Sequence, residues 1–305
     1  MPIRSPYSPA HPGKANSNQW RLDDPEVDES WVTKINGAGN HSYLATKRSH
    51  DMLHVSRIYF DRAIDGHRKA LEDLTVENIE AVYCTSVLVS FHALFVLSES
   101  EEDSTLPSLD PVQWLRLGKG TRFICSRWKE LVGPSRINSS GVSYGLPSIT
   151  NDSELFNSEH GKPFKGLLTW AEDFETIYSE DRKLYEQVIN YIGVIYKCIS
   201  EGNESELAIC RRLVAMPSRN DPRFIDMVEA KQPRALAILA HLFACMKLID
   251  YKVPWFRGIA ERQIPKIHDE LPVGWRPMLA WPMAITAGEV DREPAETQID
   301  DILAL

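Results

Sequence analysis

Two histidines sit where an imidazole is hard to keep. His92 falls in Ser90-Phe91-His92-Ala93-Leu94 and His241 in Leu239-Ala240-His241-Leu242-Phe243, each inside a run of apolar residues. Burial disfavours the charged ring, so each ring must be satisfied within the core or supply a polar contact to something bound there. Both readings stand on sequence alone. Tyr83, with Thr85 and Ser86, lies roughly two helical turns before His92 and is suited to line a polar corner beside it.

Other chemistry-bearing patterns are thin. There is no G-x-G-x-x-G, no Walker A loop, no H-E-x-x-H and no G-x-S-x-G. Gly118-Lys119-Gly120-Thr121 mimics part of a phosphate loop, yet it lies inside a helical pattern and lacks the upstream glycine. His50 and His54 share a helix face at i, i+4 without matched co-ligands, so no metal site is expected. The five cysteines, Cys84, Cys125, Cys198, Cys210 and Cys245, are unclustered and mostly within apolar runs, and read as reduced core thiols. No cofactor is expected, and no catalytic residue can be named.

The elements that must carry these residues are helices. In 305 residues, 43% hydrophobic and 25% charged, periodicity follows the 3.6-residue template from about Tyr43 onward. Thr75 is placed as an N-cap opening an apolar stretch from Ile79 to Leu97 that is greasy nearly all round, as a central bundle helix must be. Ser98 to Pro111 reads as a loop, and Pro111 starts a helix with Trp114, Ile124 and Trp128 on its apolar stripe. Gly133 to Lys165 reads as a long loop with one helical turn near Ser153 to Phe156, a length that often covers a site. Helical patterns resume through Leu167, Trp170, Phe174, Leu184 to Ile199 and Leu207 to Val214. Asp221-Pro222 is expected to cap one helix and Pro233 to open another over Arg234 to Lys247, followed by a helix from Trp255 to about Leu271 and a tail rich in Pro and Trp from Pro272 to Ala287.

The fold class expected is therefore all-α, a multi-helix bundle with an internal hydrophobic pocket. Three regions are expected: an N-terminal arm over 1–40, a helical ligand-binding-type domain over 41–288, and an acidic tail over 289–305. No window approaches a membrane span, and no secretory or transit leader is recognised, so the expected location is cytoplasmic with the nucleus as the alternative. With 34 Lys+Arg against 43 Asp+Glu the formal charge is -9, which argues against direct nucleic-acid binding.

A resemblance sharpens this picture. Ala63-Ile64-Asp65-Gly66-His67-Arg68-Lys69-Ala70-Leu71, then Leu74-Thr75-Val76-Glu77-Asn78 and an apolar helix with Ser86, resembles the effector domain of fungal zinc-cluster transcription factors of the sterol-uptake control type. Trp114 to Gly120, Pro233 to Ala244, Val253-Pro254-Trp255-Phe256 and Leu279-Ala280-Trp281-Pro282-Met283 resemble later segments of that domain, so the similarity runs from about Tyr43 to Ala287. It implies an all-helical domain with a pocket for a sterol-like ligand whose occupancy sets residence in cytoplasm or nucleus. The six-cysteine DNA-binding cluster of that family does not occur in these residues, which suggests a cut-out effector domain or a stand-alone protein.

The leading expectation is thus a ligand-sensing regulatory domain that binds a sterol-like or terpenoid-like molecule, with a homodimer as a compatible assembly. The candidate ligand-binding residues are Tyr83, His92, Leu239, His241, Phe243, Trp255, Trp275, Trp281 and Met283. The alternatives are a secondary-metabolism enzyme using the same pocket for a cyclisation or pericyclic step, which needs shape and a few hydrogen bonds rather than a triad, and a scaffold acting through protein contacts alone.

Overall fold

The computed structural model describes residues 50–98, 110–132, 151–169 and 178–289, with side chains from 58 onward except that of Pro254. The chain divides into two units, Met1–Leu53 and His54–Leu305, and the second carries the helical core. Trp170, Phe174, His50, His54, the N-terminal arm and the acidic tail lie outside the residues or side chains described.

Among the described residues there are eleven α-helices and no strand, an all-α multi-helix bundle. They are α1 (His50–Glu72), α2 (Ile79–Leu97), α3 (Pro111–Val132), α4 (Asp152–Leu155), α5 (Gly166–Thr169), α6 (Ser179–Glu201), α7 (Glu206–Arg219), α8 (Arg223–Glu229), α9 (Pro233–Ile249), α10 (Ile259–Glu270) and α11 (Ala280–Ala287). Short 3-10 helices at Lys162–Phe164, Pro254–Phe256 and Val273–Leu279 join them.

The bundle is organised around α9. Pro233 sits at its first position, where a missing N–H costs nothing, and Arg234 through Met246 are all buried. A helix apolar on every side needs neighbours on every side. Here α6, α7, α8, α10, α11, α5 and the Val273–Leu279 segment supply them.

Close approaches between elements depend on glycine. A Cβ at Gly193 of α6 would lie 1.8 Å from the His160 carbonyl oxygen, so only hydrogen lets the 157–161 turn cross that helix. Gly118 of α3 meets Pro217 of α7, whose Cβ would stand 2.5 Å from an added one. The phosphate-loop mimic is therefore the middle of a helix, and its first glycine serves a helix crossing.

Several boundaries differ from expectation. Thr75 opens a turn and not α2: its amide donates to Asn78 Oδ1 at 2.9 Å, the Asn78 amide group donates to the Asp73 carbonyl, and the helix begins at Ile79. The segment expected as one helix from Trp255 is a 3-10 turn and then α10, separated by Gly258 at φ 84°, a left-handed conformation that a side chain resists. The Pro272 to Ala287 tail is the Val273–Leu279 turn and α11, and it buries Trp275 and Trp281.

The membrane expectation also needs correction. By length and composition α2, 19 residues, is long and apolar enough to cross a bilayer, since Ser86, Ser90 and His92 do not offset its aliphatic content. In this fold it packs along α3, α10 and the Pro254–Phe256 turn, with the Ser86 and Ser90 hydroxyls donating to the carbonyls of Val82 and Ser86.

Candidate functional site

His241 lies at the centre of the most enclosed polar position among the candidates. It is 0% exposed, and its Nδ1 is 2.8 Å from the Ala237 carbonyl one turn earlier. A carbonyl only accepts, so Nδ1 carries the hydrogen and the neutral ring keeps its lone pair on Nε2. Desolvation by burial pushes its pKa down to about 4, against the raising effect of the Ala237 carbonyl, so the ring is neutral at physiological pH. Nε2 is buried, and among the described residues no group hydrogen-bonds to it.

Two rings from two other elements meet His241, and a third joins them. Trp281 of α11 stacks on His241 with centroids 5.5 Å apart and planes inclined by 24°. Phe164, from the Lys162–Phe164 turn, meets His241 edge-on at 5.6 Å, and also meets Tyr196 of α6 at 5.6 Å and Trp281 at 5.8 Å. Tyr196 closes the ring set at 5.9 Å from Trp281. The result is a buried aromatic cluster that holds the His241 imidazole and the Tyr196 hydroxyl among apolar ring faces. A base with a pKa of about 4 is a poor match for proton abstraction near neutral pH, so the chemistry favours binding.

The remaining candidates do not gather there. Leu239 and Phe243 are four residues apart and share one face of α9, whereas His241, two residues from each, takes the opposite one. Phe243 accordingly packs on Trp114 of α3, with centroids 6.4 Å apart. Tyr83 packs on Trp128 of α3 at 5.0 Å, and burial raises its pKa. His92 stacks on Phe60 of α1 at 3.7 Å and 17°, with its pKa lowered by desolvation. Trp255 is 45% exposed and lies edge-on to Phe91 at 6.0 Å. Trp275 lies 4.9 Å beneath the buried Arg234 guanidinium, whose NH1 donates to the Leu167 carbonyl. Met283 is half-buried against the main core. Of the nine candidates, only His241 and Trp281 share the aromatic cluster.

Two features are hidden from sequence reasoning. Phe164, fully buried, comes from the segment expected as a long loop; its only signal is an aromatic residue after Pro163 in a polar stretch. His67 and Ser86, nineteen positions apart, stand in the sequence only as letters of a pattern, yet His67 Nε2 and Ser86 Oγ lie 3.1 Å apart and join α1 to α2. Among the described residues, no group of three His, Cys, Asp or Glu is placed to hold a metal ion.

Comparison with known proteins bears on what such a bundle serves. A Zn(2)-C6 fungal-type transcription factor of Gibberella zeae is 25% identical over 226 residues, 70% of this chain and 43% of that protein. This chain is fungal transcription-factor-like. The Zn(2)-C6 fungal-type transcription factor afumD of Aspergillus fumigatus is 24% identical over 243 residues, 73% of this chain and 58% of its own length. The chain thus spans about half the length of the curated relatives it matches. No protein-family model matches it, and no solved structure does.

Proposed function

We propose that this chain is the ligand-sensing part of a fungal transcription regulator, and that it holds a hydroxyl-bearing apolar molecule of the sterol or terpenoid class against His241. The observation that carries the reading is the buried His241 Nε2, which has no partner among the described residues and whose ring meets Phe164 and Trp281. An unsatisfied buried acceptor costs about 1–3 kcal/mol, and a ligand hydroxyl donating to it would recover much of that. Similarity to two transcription factors supports a regulatory role, with the nucleus as the place where it is exercised. Neither relative's name carries an enzymatic activity, and the cyclisation reading gains no support.

Mass spectrometry of small molecules extracted from natively purified protein tests this. The expected result is one dominant apolar compound with a free hydroxyl, retained by the parent chain and depleted in a folded His241→Phe variant. Recovery of no such compound, or equal recovery from the variant, contradicts the proposal.

A further inference from the structure

Helix α3 is out of keeping with the charge of the molecule. In a chain of net charge -9, its 22 residues carry five basic side chains, Arg116, Lys119, Arg122, Arg127 and Lys129, against one acidic, Glu130. One face of α3 is committed to packing: Trp114, Leu115, Gly118, Ile124 and Trp128 are buried. The opposite face carries Arg116, Lys119, Phe123 and Arg127 at successive spacings of three, four and four, which places them in one row along the helix.

Phe123 is the anomaly in that row. Its ring is 60% exposed among cations, where a solvated helix would carry a polar residue. Arg116 is held by Glu229 at 2.5 Å and Arg127 by Glu130 at 2.5 Å, which fixes the row's two ends. Between those ends, Lys119 pairs with no carboxylate among the described residues. Arg122 donates to the Asn220 carbonyl at 2.8 Å, which brings the exposed Arg219 at the end of α7 to the same seam.

We infer that this face of α3 is a docking surface for an acidic amphipathic peptide segment of another protein. An aromatic anchor with the unpaired Lys119 one turn before it and Arg127 one turn after it matches a helix that presents a leucine or aromatic residue between aspartates and glutamates. Duplex nucleic acid fits less well, because a phosphate backbone gives Phe123 no apolar counterpart. An anionic membrane fits less well too, since one ring is little apolar area for interfacial insertion.

The test uses the full 305-residue chain and a labelled synthetic peptide in which Leu recurs at helical spacing among Glu and Asp, followed by fluorescence anisotropy at low salt. Saturable binding is expected, weakening as salt rises. Phe123→Ser and Lys119→Glu should each weaken it about tenfold or more. Because these side chains are exposed, melting temperatures should match the parent, so a loss of binding cannot be ascribed to unfolding. Absence of saturable binding, or binding unaffected by Phe123→Ser, overturns the inference. So does tighter Lys119-dependent binding to a DNA duplex or to phosphatidylserine vesicles, which would reassign the face to phosphate recognition.

Discussion

His241 and Trp281 lie ring on ring, 5.5 Å between centroids and 24° between planes, although forty residues separate them in the chain. The stack covers one face of the imidazole while the Ala237 carbonyl takes Nδ1, so Nε2 is the one polar atom of the ring without a partner among the described residues. Titration of this ring gives the first prediction. In the folded chain its pKa is about 4, against roughly 6.5 when unfolded, so the unfolded chain binds the extra proton between those values. The ring's contribution is complete above pH ~6.5 and is lost as pH falls, amounting to ~3 kcal/mol by pH ~4. Urea unfolding at a series of pH values should show this slope, and His241→Phe should flatten it by about that amount.

The second prediction separates two glycines of one helix. Gly118→Ala drives its Cβ to 2.5 Å from Pro217, so it should destabilise the protein by about 1–3 kcal/mol, as overpacking does. Gly120→Ala meets nothing within 4 Å and should stabilise α3 by up to about 1 kcal/mol through helix propensity. Thermal melts of the two variants decide it; if Gly118→Ala melts with the parent, the helix crossing is misplaced.

Legibility follows periodicity. Helices α2, α3, α6, α7 and α9 are readable because each repeats its apolar residues at 3.6-residue spacing or is apolar throughout. The break at Gly258 is not, because the residues on both sides of it are equally apolar. His241 can be picked out, since a titratable ring in Leu239 to Phe243 stands out by type. Its surroundings cannot, because Phe164 reaches it and Tyr196 reaches Phe164 through tertiary packing, and because Leu239 and Phe243, in the same run, turn to the other side of α9.

A third prediction concerns a buried ion pair. Arg212 and Glu204 each expose 2% of their side chains, and Arg212 Nε donates to Glu204 at 2.7 Å. Removing one partner strands the other charge, so Glu204→Gln or Arg212→Met should cost about 3–5 kcal/mol in chemical unfolding. A loss below ~1 kcal/mol would mean that water reaches the pair.

Thiol chemistry supplies a fourth. Burial pushes Cys198 and Cys210 up to about 11 and raises Cys245 as well, and all three are buried. Alkylation at pH ~8 should therefore modify the half-buried Cys84 and Cys125 first and reach the other three only on unfolding, as read by peptide mass mapping.

Whether Nε2 of His241 accepts a hydrogen bond from a ligand hydroxyl is tested most directly by comparing two ligands, a sterol with a free hydroxyl and the same sterol as its methyl ether. Their affinities are measured for the parent chain and for His241→Phe. The parent should favour the alcohol by about tenfold, the worth of one buried hydrogen bond, and the variant should bind the two alike. Equal binding of alcohol and ether by the parent, or a preference that survives in His241→Phe, would contradict the assignment of His241 as the polar anchor.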